Sequence, residues 1–421
     1  MQIGYKLAAE AFGPAELVRQ AVAAERAGFD FVEISDHFHP WLDVQGHSPF
    51  AWTVLGTIAA RTERIGLATG VTCPTMRYHP AVIAQAAATM ALLSDGRFTL
   101  GVGSGERLNE HVVGLEFPDS TQVRQQLLRE ALEIIGLLWQ GGYRSYEGQH
   151  LRLEDARVFD LPPTPPLLAV AAGGVDAARI AAELGTALFA TEPRPELVDA
   201  YREAGGDGPR YAELSVAYAT DEQEAVRAAL TTNRWAVTGW KVMSELPNPV
   251  NFDAATTTVR ESDIRESFAC GADVDRYLAV AQPYADAGFD RLVLMNAGPD
   301  ADAFLDFFQR ELDGPLRALT PRGRCAGRGP VGAPGGFGAA RGPDPRPGAR
   351  RAPGPGQCAV SVRHSTPPSA ALIRTSPSAA TTRAAPSFPS VGVAQTASSS
   401  PFTRTSRPSA QNSARPASPP A

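Results

Sequence analysis

The 421-residue chain predicts an α/β fold, a (β/α)8 or TIM barrel, with an insertion between strands seven and eight and a disordered C-terminal tail. Three observations predict it. Apolar, strand-like runs alternate with helical patterns along residues 1–319. Eight such runs can be counted, and eight units over roughly 250 residues or more is the size of this barrel. Polar and glycine-rich strings follow several of the runs directly, and parallel α/β folds gather their chemistry at those strand ends.

The elements follow in order. Ile3–Lys6 reads as the first strand. Pro14–Ala27 reads as a helix, with proline in its first turn and Gly28 at its end. Phe29–Ile34 is the second strand and Phe50–Thr62 the next helix. Ile65–Thr72 is the third strand, followed by an Ala-rich helix, Pro80–Leu93. Phe98–Val102 is the fourth, followed by a long amphipathic helix, Ser120–Trp139. Tyr143–Leu153 reads as a hairpin turning at Glu147-Gly148. Leu167–Ala171 and the helix Val175–Leu184 form the fifth unit. Ala187–Ala190, Leu214–Ala219 and Arg291–Met295 are strands six to eight, and Ala301–Glu311 the last helix. Continuous apolar strands separated by helices imply a parallel sheet covered on its outer face. Residues 221–288 hold more than one helix, and 231–262 reads as the insertion, the kind of segment that forms functional loops or lids.

From Pro321 the composition changes. The tail holds 18 of the 36 prolines, 13 arginines, one aspartate and no lysine or glutamate, so its formal charge is 13 − 1 = +12. The body then carries −6 − 12 = −18. An acidic body argues against a nucleic-acid face. Arginines scattered singly among Pro, Ser, Ala and Gly do not make a basic patch, and such a segment cannot bury enough apolar surface to order itself. Residues 1–319 are therefore expected as one domain and 320–421 as a disordered tail. Only two lysines, Lys6 and Lys241, accompany 37 arginines, which points to GC-rich coding DNA and to a frameshift near codon 320. The cysteines, Cys73, Cys270, Cys325 and Cys358, match no zinc spacing. No run reaches the roughly 18 apolar residues of a membrane span, and Met1 leads straight into a strand. The expectation is a cytoplasmic protein.

Four strand ends carry chemistry. Ser35-Asp36-His37-Phe38-His39-Pro40-Trp41 follows strand two; its histidine can move a proton near neutrality and its tryptophan offers a flat apolar wall. A metal site would need later histidines, and none lies between His150 and His364, so no metal is expected. Gly101-Val102-Gly103-Ser104-Gly105-Glu106 ends strand four. Its spacing is not the dinucleotide fingerprint. The small residues are expected to let a flat ring approach the backbone, with Glu106 paired to His37 as acid and base. Gly70-Val71-Thr72-Cys73-Pro74-Thr75 suggests a bulge or unusual peptide after strand three. Ala171-Ala172-Gly173-Gly174 opens a helix N-terminus suited to an anion such as phosphate. Together these suit a flavin-like cofactor with a phosphate-bearing tail.

With GYK at 4–6, SDHFHPW at 35–41, GHSPFAW at 46–52, TCPTMRYHPAVIAQA at 72–86, GVGSGERLNEHVVG at 101–114 and AAGG at 171–174, residues 1–319 resemble the luciferase-like, deazaflavin-dependent oxidoreductases, and within them the glucose-6-phosphate dehydrogenase branch that uses coenzyme F420. The resemblance implies the coenzyme at the carboxyl end of a barrel. It implies Asp36 contacting the deazaflavin, His37 as base for the substrate hydroxyl, Trp41 stabilising the reacting complex, and Glu106 protonating the reduced ring. It further implies a non-proline cis peptide at Gly70-Val71 supporting the ring, with Cys73 and Gly105 beside it. Asn109 and Ala171, Ala172, Gly173 and Gly174 would hold the coenzyme tail. That branch grips substrate phosphate with two lysines and an arginine. The matching positions here, Glu192 or a neighbour, Ala254 and Glu266, are not basic, so glucose 6-phosphate is expected not to be the substrate. An FMN-dependent monooxygenase on the same barrel is the alternative. A small-molecule substrate and a homodimer complete the expectation.

Overall fold

A computed structural model describes residues 1–322. The tail beyond Arg322, with its expected disorder, the proposed frameshift, Cys325 and Cys358, lies outside the described residues.

Eight parallel strands close into a barrel: β1 (Gln2–Leu7), β2 (Phe31–Ile34), β3 (Gly66–Thr69), β4 (Phe98–Val102), β5 (Leu167–Ala171), β6 (Ala187–Ala190), β7 (Arg210–Ala217) and β8 (Arg291–Asn296). Each pairs with the next, and β8 pairs back to β1 through Gln2↔Arg291 to Tyr5↔Leu294, which completes the ring. The barrel interior is packed rather than hollow. Phe31, Ala169, Phe189, Tyr211 and Val293 fill one cluster there. Gly4 is glycine for that reason: a Cβ would sit 2.4 Å from the Phe31 ring. Outside, the helices bury their apolar faces on the strands, as Leu17, Ala21 and Ala24 of Pro14–Ala27 do. Gly28 ends that helix at φ 95°, a left-handed cap that a side chain would resist.

Differences from the sequence reading have local causes. The third strand stops at Thr69, because the chain turns out of the sheet at a cis Gly70–Val71 peptide; only Thr72 re-engages, bridging Val102. The seventh begins earlier, at Arg210, since Arg210, Tyr211 and Glu213 hid its start behind polar residues. The hairpin is present as Arg144–Glu147 against Arg152–Ala156. Helices Pro195–Glu203, Glu222–Thr232 and Val274–Ala287 were not assigned individually from sequence. The last helix is shorter than expected: Ala301–Phe307 passes into a π turn, Phe308–Leu312, and a final helix, Asp313–Arg317. The insertion between β7 and β8 is real. It folds as the tight turn Arg234–Val237 and the short helices Trp240–Met243, Pro249–Ala255 and Glu261–Ser267, and then Ala269–Cys270 adds a short parallel pairing to β7.

Candidate active site

The loops after β1, β2, β3 and β4 meet at the carboxyl end of the barrel. His37 follows β2 and stands between two carboxylates from its neighbours. Its Nδ1 lies 3.0 Å from Glu10 Oε1, off the ring's N–H axis, and its Nε2 lies 3.7 Å from Glu106 Oε1. The histidine side chain is 11% exposed and that of Glu106 14%, so both reach the opening. Glu10 is buried beneath them. Burial alone would lower the imidazole's pKa, but Glu10 and then Glu106 outweigh it, and the result is raised above the ordinary 6.5. Burial would push the Glu10 carboxyl up, yet the facing imidazolium holds it below its usual value. With a carboxylate at each ring nitrogen, the imidazolium is the form that can serve both.

Trp41 packs its edge against the His37 ring, with centroids 4.8 Å apart. Its other side stacks on Trp235 at 4.5 Å with the planes 15° apart, and Phe252 meets it edge-on. Trp235 and Phe252 belong to the insertion, which thus supplies an apolar wall continued by Leu108, Met243 and Met295. The Trp235 Nε1 hydrogen is buried without an acceptor.

Three features expected at the coenzyme also have partners within the protein. Asp36 was expected on the coenzyme. Its side chain is fully buried, with Thr72 Oγ1 (2.8 Å) and Trp52 Nε1 (3.3 Å) on one oxygen and Tyr78 Oη (3.1 Å) on the other, and Arg77 alongside. Through these contacts it braces the loop. Asn109 was expected on the coenzyme tail. It is fully buried, accepts hydrogen bonds from the backbone N–H groups of Phe38 (2.7 Å) and His39 (3.0 Å), and donates to Glu106 Oε1. It ties the β2 loop to the β4 loop and so fixes His37 against Glu106. The β4 glycines were expected to clear room for a ring. Their immediate neighbour is the β3 bulge: added Cβ atoms would meet Thr69 O at 2.0 Å from Gly101, Val71 Cγ2 at 2.9 Å from Gly103 and Cys73 Sγ at 2.6 Å from Gly105. Gly105 also has φ 78°. Glycine lets β4 settle onto the bulge, and Val71 then floors the site. Cys73 is buried, and burial keeps its thiol neutral, with a pKa well above the ordinary value.

The tail turn fits a phosphate-bearing group. Ala171–Gly174 lead into the ten-residue helix Val175–Leu184, whose N-cap, Gly174, offers no side-chain cap to the free N–H groups. Nothing lies within 4 Å of where a Gly174 Cβ would be. Arg194 donates to Gly173 O at 2.8 Å and brings a positive charge beside the turn. The Gly70–Val71 bulge, the His37–Glu106 pair and the open helix N-terminus at Gly174 lie on separate strand ends, an arrangement that a deazaflavin with a phosphate tail would fit. Among the described residues, no three His, Cys, Asp or Glu side chains are placed to hold a metal, and no helix is long and apolar enough to cross a membrane.

The luciferase-like monooxygenase family model matches residues 1–291. F420-dependent glucose-6-phosphate dehydrogenases from Nocardia farcinica and Tsukamurella paurometabola are 38% and 37% identical, covering 76% of this chain and 99% of their own length. The chain belongs to the luciferase-like family of F420-dependent oxidoreductases. A solved F420-dependent secondary alcohol dehydrogenase, in complex with an F420-acetone adduct, superposes with a TM-score of 0.69 at 29% identity, covering 75% of this chain and 98% of that one. The expectation that glucose 6-phosphate is excluded finds no support here, because the relatives that match over nearly their whole length carry that substrate in their names.

Glu10, Trp235 and Phe252 escaped the sequence reading. Glu10 could have been found by the rule that found His37, as an acid three residues beyond the end of β1. The insertion tryptophan carries no such local signal.

Proposed function

We propose that this family member interconverts an alcohol and its carbonyl at a small substrate's carbinol carbon, with the coenzyme bound across the mouths of β3, β4 and β5. The observation that carries the reading is His37 held between Glu10 and Glu106 beside the Trp41 wall. Bound F420 would accept or supply the hydride at C5. In the oxidising direction, neutral His37 takes the hydroxyl proton through Nε2, and Glu10 stabilises the imidazolium that results. In the reducing direction the same imidazolium donates its proton to the carbonyl oxygen. Glu106, held by Asn109, is the group placed to exchange a proton with the coenzyme ring. Trp41 and the insertion wall exclude water and position the substrate. Gly174 and its helix N-terminus, with Arg194, would hold the tail phosphate.

The same reading makes this a cytoplasmic enzyme with a small-molecule substrate and a homodimer in solution, which sedimentation tests. The activity test is a titration of the protein with oxidised F420 and separately with FMN. An assay of glucose 6-phosphate and of simple secondary alcohols by F420 absorbance follows. Deazaflavin binding with turnover of either alcohol supports the reading. Preference for FMN with oxygen consumption replaces it with the monooxygenase alternative.

A further inference from the structure

Beneath the floor of the site lies a second charged cluster that the reaction does not use. Lys6, on β1, points into the barrel with its side chain 5% exposed. Its ammonium has three donors and three acceptors: Glu33 Oε1 of β2 at 2.8 Å, Glu213 Oε2 of β7 at 2.7 Å and the Gly70 carbonyl at 2.8 Å. One cation therefore faces two carboxylates in a buried space, an excess negative charge that a low-dielectric interior resists. Glu33 is 1% exposed, whereas the Glu213 side chain is 13% exposed and gives the cluster an edge toward solvent. The Glu33 carboxylate presses on Gly70 itself: a Cβ there would fall 2.0 Å from its Oε1. The next residue, Val71, is the floor on which β4 rests.

We propose that the Lys6–Glu33–Glu213 cluster is a proton-exchanging site that couples to coenzyme binding through the Gly70–Val71 floor, with Glu33 as the group that takes the proton. The proposal rests on the reading that this floor carries the coenzyme. An anionic coenzyme arriving above a cluster with excess negative charge favours its neutral form, so binding draws in a proton and the cluster's proton strengthens binding by the same factor. Lys6 and Gly70 relay the change, because loss of charge on Glu33 alters the acceptor set of the one ammonium that also holds the Gly70 carbonyl.

The groups facing Glu33 agree with this assignment. From β1 comes Lys6, whose charge also acts on Glu10 of the following loop. From β7 come Glu213 and Tyr211. From the β3 side comes the Gly70 carbonyl. Burial pushes Glu33 up, Lys6 opposes it and Glu213 adds to it, and the balance is about 7.

Two measurements on the full chain decide the matter, and the first needs no coenzyme. Infrared difference spectra of the apo protein between pH 8.5 and 5.5 are expected to show a protonated-carboxyl band that Glu33→Gln removes. A spectrum unchanged by Glu33→Gln overturns the proposal. The second is the F420 dissociation constant across the same range, read by fluorescence. Affinity is expected to weaken up to about tenfold per pH unit above neutrality. That dependence should flatten in Glu33→Gln and survive in His37→Ala. A dependence that persists in Glu33→Gln, or vanishes in His37→Ala, overturns the coupling. Failure of F420 to bind at any pH would remove the functional reading and the coupling with it, while the infrared band would still show whether the cluster exchanges a proton.

Discussion

Two cations in this barrel are each held between two carboxylates, and they do opposite work. Lys6 sits between Glu33 and Glu213 at 2.8 and 2.7 Å, with its third donor also used. His37 sits between Glu10 and Glu106 at 3.0 and 3.7 Å, partly open to the barrel mouth. The inner cluster is closed: every ammonium proton is bonded, and lysine stays charged, its pKa raised further by the two glutamates against the cost of burial. The outer cluster is slacker, and its cation is a histidine, which can give up its proton near neutrality. Saturated geometry keeps the lysine charged and leaves any proton exchange in the inner cluster to Glu33. The same charge pattern around a histidine, with a longer contact to Glu106, is what the proposed proton transfer at the mouth would use.

That contrast can be broken in several places. The largest effect is expected from Lys6→Met, which strands two carboxylates in the barrel and should cost about 3–5 kcal/mol of stability. Urea unfolding measures it, and a near-neutral result would show that the inner cluster is solvated. His37→Ala should leave the fold in place and lower turnover roughly 100-fold or more. If its turnover matches wild type while F420 binds normally, the mouth cluster is not the proton-transfer site. Glu10→Gln separates field from contact. His37 must be neutral to accept a proton, so alcohol oxidation should rise with pH through a limb above 6.5. Removing the Glu10 charge should move that limb to lower pH. The sign for stability follows from the same raised value. The ion pair contributes fully below the unfolded histidine's pKa, and its contribution is lost as pH rises through the folded one. A pH–rate profile unmoved in Glu10→Gln would assign the limb to another group. Trp235→Phe should change least. It keeps an aromatic ring against Trp41 and deletes an N–H with no acceptor, so stability should stay level or rise by up to about 1 kcal/mol. A clear loss in thermal unfolding would mean that the N–H is satisfied after all.

Residues 1–319 announced their barrel plainly, because buried parallel strands must be apolar throughout and helices must not be. The pair proposed to react, His37 and Glu106, stood out for a related reason: a histidine and a glutamate placed just past apolar strands have little structural use there. Partners were not legible. Asp36 and Asn109 were expected at the coenzyme, and in the fold their oxygens also hold Thr72, Trp52, Tyr78 and two backbone amides. Sequence shows that a polar side chain is available, not which way it turns. The β4 glycines show the same limit, since a missing Cβ makes room for a neighbour without naming it. Lys6 and Glu33 could have been paired from sequence, as lone charges inside apolar strands seldom stay buried without each other.

Ring closure has a consequence for how this chain is made. β1 is the first strand synthesised, and one of its two partners is β8, residues 291–296. The Met1 amine reaches the Arg317 carbonyl, and Arg317 in turn pairs with Asp30 at 2.7 Å and donates to the Gly28 carbonyl. The first edge formed at the ribosome thus waits unpaired for nearly the whole barrel to follow. Contacts this distant in sequence close slowly, and an open strand edge invites pairing with other chains. A nascent chain halted before Arg317 would carry His37 and Glu106 on a barrel that still lacks its clasp.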